Sequence, residues 1–181
     1  TTVTCAILQV LVNRGCSVAA AKCGPDYIDP MFHSRIIGAK SSNLDPFFFD
    51  DNMLRCLLAE NSCGCELAVI EGVMGYYDGL GLTSTRASTF ELAQKTESPV
   101  VLVVNARGAA LSVLAAIQGF LQFRPESGIQ GVILNGCTAM SYGALAAELE
   151  RQYPVKACGY LPRLPDCALE SRHLGLVTAQ E

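Results

Sequence analysis

Leu67-Ala68-Val69-Ile70-Glu71-Gly72 is the stretch from which the fold can be read: four apolar residues, then a carboxylate, then glycine. A run this short is too brief for a helix and has the composition of a strand buried on both faces. It continues into Val73-Met74-Gly75-Tyr76-Tyr77-Asp78-Gly79, a loop rich in glycine. Working outward, similar runs occur at Val18 to Cys23, Val100 to Val104, Val132 to Leu134 and Lys156 to Leu161, each closed by Gly, Asn or Pro. Helical periodicity fills the intervals at Thr2 to Asn13, Asn52 to Glu60, Ser88 to Thr96, Ala109 to Phe123 and Tyr142 to Gln152. Strand and helix alternate, which predicts an α/β fold with a mostly parallel sheet and helices on both faces. In such folds ligands gather at the carboxyl ends of the strands.

The 181 residues suit one domain with a sizeable core. No apolar run is long enough to span a bilayer. A net charge of -4 with no basic block leaves nothing to neutralise a phosphate backbone, so nucleic acid is a poor partner. The nine cysteines are scattered and odd in number, as expected of a reduced, cytoplasmic protein. Cys63 and Cys65 lack the second pair that a structural zinc site needs, and His33 and His173 are distant in sequence.

Two strand ends carry candidate chemistry. Glu71 could hold Mg²⁺, which prefers hard oxygen ligands and is usually fixed by one or two carboxylates together with phosphates. A strand-end Glu can equally be a cap or a solvated residue. Lys22-Cys23-Gly24-Pro25-Asp26-Tyr27-Ile28-Asp29-Pro30 packs a lysine, two carboxylates and two prolines into one loop, and Asp-Pro and Gly-Pro pairs also form ordinary turns. The excursion from Gly24 to Asp51 breaks the strand-helix rhythm without a clear helix, and long ordered excursions are often functional. The chain opens on Thr1-Thr2-Val3-Thr4 and a helix, with neither the strand nor the glycine-rich turn at which a nucleotide-binding α/β fold begins.

KCGPDYIDPMFH, SSNLDP, LAVIEGVMGYYDG, ILN, GYLPR and LESRHLGLVTAQE follow one another in an order that resembles the cobyrinic acid a,c-diamide synthases. Cobyric acid synthases and dethiobiotin synthetases share the fold and the strand-end acid, but the KCGPDYIDP and SRHLGLV stretches set the a,c-diamide synthases apart. The resemblance implies an ATP-binding synthetase domain over residues 1–181, of a three-layer fold like that of P-loop NTPases, lacking its first strand and phosphate loop. It also implies a separate glutamine amidotransferase domain outside these residues, and it is compatible with a homodimer.

The implied reaction is ATP-dependent amidation of the a and c carboxylates of cobyrinic or hydrogenobyrinic acid through an acyl phosphate, with ammonia supplied from glutamine. By the same resemblance Thr1 and Thr2 continue the phosphate loop, Thr1, Asp26 and Glu71 hold Mg²⁺, and Lys22 faces phosphate oxygens. Asp26, Asp29, Glu71 and Asp78 form the catalytic set, while Tyr27, His33, Ser88, Thr89 and Arg172 lie toward the corrin. Ser88 and Thr89 also suit a plain helix N-cap, and His173 suits a structural imidazole. Asn135, Pro162 and Arg163 resemble the positions that frame adenine. Asn105 stands where many family members carry Asp. The rival readings are a P-loop partitioning or regulatory ATPase, which leaves the DYIDP loop without a purpose, and an inactive fragment of the synthetase.

Overall fold

The computed structural model describes residues 1–164, 171–172 and 175–176. Its organising strand is β1, Val18–Cys23, in which every residue is buried. β1 runs parallel to β2 (Lys40–Leu44) on one side and β3 (Leu67–Glu71) on the other. Because side chains alternate along a strand, β1 serves two cores. Val18 and Ala20 pack with Leu8 of helix α1 (Thr2–Asn13) and with Ile37 and Ala39. Ala21 and Cys23 pack instead with Leu44, with Leu54 of α3 (Asp51–Ser62) and with Leu92 of α4 (Thr89–Lys95). Small residues on β1 let helices approach from both faces.

The helices start where capping chemistry allows. Asp50 accepts a hydrogen bond from the Met53 N–H at 2.8 Å to open α3, with Asp51 in its first turn where the helix dipole favours negative charge. Ser88 accepts from the Glu91 N–H to open α4, and Glu91 reaches back to the Ala87 N–H. Thr1 stands at the start of α1 but makes no side-chain cap, because its hydroxyl is committed elsewhere.

The Gly24 to Asp51 excursion is ordered. It contains a short helix, α2 (Ile28–Met31), a π-helical turn over Phe32–Ile36, and β2. The apolar-run criterion passes over β2 because Lys-Ser-Ser-Asn-Leu is polar and lies at the end of its three-stranded sheet, where only Leu44 is buried. Helix boundaries also shift by a few residues: α3 is two residues longer at its far end than the expected Asn52 to Glu60.

Residues 1–97 form one compact unit, to which a short antiparallel ladder of β7 (Ser171–Arg172) and β8 (Gly175–Leu176) belongs, and residues 98–164 form a second. In the second unit β4 (Val100–Asn105), β5 (Ile129–Asn135) and β6 (Lys156–Leu161) make a parallel sheet in that order. Helix α5 (Ser112–Phe123) buries Val113, Leu114 and Ile117, and α6 (Ala139–Gln152) buries Leu145 and Leu149. The α/β alternation with parallel strands and surrounding helices is the expected class.

Leu54 is fully buried where α3 meets β1 and β2. Leu54→Ala is expected to lower the unfolding free energy by about 2–5 kcal/mol, as a shift of the urea midpoint with unchanged slope.

Candidate active site

Register carries the charged residues to one place. Lys22, the penultimate residue of β1, lies opposite Asn43 of β2 and Glu71 of β3. It occupies the same face of β1 as Val18 and Ala20, so its side chain runs toward the start of α1. There its ammonium contacts Asp29 Oδ2 at 2.5 Å, Glu71 Oε1 at 3.3 Å and the Gly72 carbonyl at 3.2 Å. Three acceptors match the three N–H donors of an ammonium. The Thr1 hydroxyl donates to Asp29 Oδ1 at 2.7 Å, and the Thr1 nitrogen lies 2.8 Å from Glu71 Oε1. His33 Nε2 is 2.9 Å from the other oxygen, Oε2.

This cluster is dry: Lys22, Asp29, His33 and Glu71 are each at most 5% exposed. Taking ions out of water costs several kcal/mol apiece unless they are closely paired. Burial alone would raise the Glu71 carboxyl, but the His33 hydrogen bond and the Lys22 charge act against it. They hold the carboxyl far below its ordinary value of 4.5. Burial likewise works against the Lys22 charge, and the hydrogen bond to Asp29 with the charges of Glu71 and Asp29 raises it instead.

The surrounding loops are fixed by their own hydrogen bonds. Asn43 donates to the carbonyls of Gly24 and Asp26, at 2.8 and 2.5 Å, pinning the Gly-Pro-Asp turn. Asp26 turns its carboxylate onto the Ile28 N–H at 2.9 Å and so caps its own loop, outside the buried cluster, while Tyr27 is 69% exposed. After Glu71 the backbone passes against Thr89, whose hydroxyl accepts from the Val73 N–H at 2.9 Å and donates to the Val73 carbonyl. A Cβ on Gly72 would sit 2.8 Å from the Thr89 methyl, so that turn has room only for hydrogen. Asp78 accepts from the Gly75 N–H at 3.0 Å, and a Cβ at Gly75 would collide with that carboxylate. Ser88 is fully buried and caps α4 while donating to Thr85.

The expected residues thus fall into separate groups. Thr1, Lys22, Asp29, His33 and Glu71 come together, Asp26 and Tyr27 rim them, and Asp78, Ser88 and Thr89 shape the loop beyond Glu71. Thr2 is exposed at the start of α1. In the second unit Asn135 ends β5 opposite Leu161, and the Leu161 carbonyl accepts from the Gly136 and Cys137 N–H groups. Exposed Pro162 and Arg163 therefore follow at the same sheet end as Asn135. Arg172 lies on β7, and His173 falls outside the described residues. Sequence reading missed the service of Asn43, although SSNLDP contains it, and the pairing of His33 with Glu71, which no spacing announces.

The oxygen donors suit Mg²⁺: two carboxylates and a hydroxyl converge at a strand end. Among the described residues no group of three or more His, Cys, Asp or Glu is arranged to hold a metal ion; Mg²⁺ commonly takes only one or two carboxylates and completes its shell with water and phosphate.

Two measurements check the electrostatics. Lys22→Met strands two buried carboxylates and should cost about 3–5 kcal/mol by urea denaturation at neutral pH. Because the folded Glu71 carboxyl lies below its unfolded value, its contribution is complete above pH 4.5 and is lost as pH falls below it. The wild-type urea midpoint should therefore drop on acidification through that range, and Glu71→Gln should flatten the drop.

No family model matches the chain. Curated relatives do, along its length. A cobyrinate a,c-diamide synthase of Listeria innocua is 44% identical over 183 aligned positions, covering 100% of this chain and 40% of that protein. Proteins of the same name from Thermoplasma volcanium and Salmonella typhimurium are 40% and 39% identical, each with 100% of this chain and 40% of the relative covered. The chain spans about two fifths of the length of the relatives it matches. Along its whole length the chain is thus similar to one segment of the cobyrinate a,c-diamide synthases.

Proposed function

We propose that this chain is the carboxylate-activating part of an ATP-dependent amide ligase of cobalamin biosynthesis. It would act on the a and c side chains of cobyrinic acid or its hydrogenobyrinic relative. The relatives' shared name supports the substrate and the product, and the buried Thr1, Lys22, Asp29 and Glu71 cluster supports the chemistry. A carboxylate resists nucleophiles because its own charge repels them. Transfer of the γ-phosphoryl group of ATP to one carboxylate oxygen gives an acyl phosphate and ADP. Ammonia then forms the C–N bond, the C–O bond to phosphate breaks, and a proton leaves the nitrogen. Such transfers are helped chiefly by positioning and by fixed charge.

In this reading Thr1 and Glu71 hold Mg²⁺, which when bound would neutralise charge on the phosphate oxygens, and Asp26 would join them only by giving up the Ile28 N–H that its carboxylate now holds. Lys22 keeps Asp29 and Glu71 ionised and apart at fixed positions, and with Thr2 it borders the phosphates. Asp29, Asp78, Tyr27, Ser88, Thr89 and Arg172 belong to the corrin side, and Asn135, Pro162 and Arg163 to the base of ATP. Ammonia comes from glutamine through an amidotransferase part of the whole protein, which works in the cytoplasm and is compatible with a homodimer. No helix among the described residues is long and apolar enough to cross a membrane. A partitioning ATPase would need none of the DYIDP loop that Asn43 holds in place.

The test is ATP- and glutamine-dependent amidation of cobyrinic acid by the whole protein, followed by mass. Two amides per corrin are expected. Glu71→Gln should lower kcat by about 10²–10³-fold, the size of effect that follows removal of one group of a preorganised electrostatic site, here through loss of a carboxylate that would hold Mg²⁺. ATP turnover without amidation of the corrin would sink the proposal.

A further inference from the structure

The chemistry proposed above asks one oxygen of Glu71 to face the reacting phosphates, yet a carboxylate at the end of a flexible side chain has two equivalent oxygens. Something must choose between them. Oε1 lies with Lys22 at 3.3 Å, whereas Oε2 lies with His33 Nε2 at 2.9 Å. His33 is fully buried. Its Nδ1 has no hydrogen-bond partner among the described residues. A buried lone pair without a donor is tolerated better than a buried N–H without an acceptor. Because the ionised Glu71 Oε2 can only accept, Nε2 carries the proton that is donated to it.

The local backbone explains why the ring has one orientation. His33 sits in the π-helical turn Phe32–Ile36, closed by the Ile37 N–H on the Phe32 carbonyl at 3.2 Å, and its own carbonyl accepts from the Ala39 N–H at 3.0 Å. A π-turn inserts an extra residue into each turn and re-aims side chains, and such turns are frequent at functional sites. Here the turn points His33 inward while its neighbour Ile36 stays 59% exposed.

We propose that His33 is a positioning residue for Glu71: by occupying Oε2 it turns Oε1 toward the point where Thr1 and Lys22 converge, and so sets the geometry of the Mg²⁺-nucleotide site without touching substrate. This assignment rests on the proposed function and replaces a role toward the corrin with one toward the metal. Partners that orient a metal-binding side chain typically contribute 10–100-fold to metal affinity.

The test uses the intact protein, Mn²⁺ as the probe and a non-hydrolysable ATP analogue, with bound Mn²⁺ read by electron paramagnetic resonance. The amide nitrogen of Gln reaches the place of Nε2, whereas that of Asn falls short. His33→Gln should hold Mn²⁺ within about threefold of wild type, and His33→Asn should weaken it about 10–100-fold. The half-saturating Mg²⁺ for amidation should move in step, while KM for the corrin stays unchanged. Equal Mn²⁺ affinity in both variants, or a raised corrin KM with normal Mn²⁺ binding, overturns the assignment. On unaltered protein, ¹⁵N shifts should give the Nε2–H tautomer of His33, and the Nδ1–H tautomer overturns the assignment even where a variant fails to fold. If wild type itself binds no Mn²⁺ with the analogue, it is the proposed function that fails.

Discussion

The interaction on which the rest depends is the burial of one ammonium among the carboxylates at the end of a central strand. Lys22 on a strand shielded on both faces cannot reach bulk water, so its charge is tolerable only if anions are delivered to it. Asp29 and Glu71 arrive from different elements, one from α2 after β1 and the other from the end of β3. Each of the three would be a severe liability without the others. Together they form a rigid charged knot at the carboxyl edge of the sheet, where an α/β fold gathers its ligands.

Keeping that knot in register constrains the backbone around it. Asn43 holds the Gly-Pro-Asp turn from the neighbouring strand, so the polar character of β2 serves the loop beside it rather than the core. Beyond Glu71 the chain must pass closely over Thr89, which leaves Gly72 no alternative side chain. Met74 adopts a left-handed conformation (φ 52°) in the same loop, a strain of the kind that a well-determined site can sustain. The helices serve the site indirectly: α1 brings Thr1 to Asp29, and α4 begins where Ser88 and Thr89 tie down the loop after the strand-end acid.

Much of the fold was legible in one dimension. The apolar runs at Val18 to Cys23 and at Leu67 to Ile70 are both strands, but only the first is buried along its whole length; Leu67 and Ala68 are exposed and Val69 and Ile70 half-buried, so composition announced the strand and not its burial. Caps such as Asp50 and Ser88 announce helix starts through local hydrogen bonding alone. Lys40–Leu44 was not legible, since a sheet-end strand can be polar and still pair along its backbone. Boundaries moved by a few residues for a related reason: the last turn of a helix is decided by what it packs against.

By itself the sequence determined the α/β class, the strand-end positions of Lys22 and Glu71, the resemblance to one segment of the cobyrinate a,c-diamide synthases, and the composition of the loops that carry its acids. All of these follow from local periodicity, turn chemistry or the order of long motifs along the chain. Only the tertiary structure decided which acids meet. Asp29 enters the buried cluster from the first turn of α2, while Asp26, three residues earlier, lies before that helix and caps its own loop. The pairing of His33 with Glu71, 38 residues apart, follows from strand register and a π-helical turn. Neither leaves a periodic trace in the sequence, because each depends on segments that meet only once the sheet has formed.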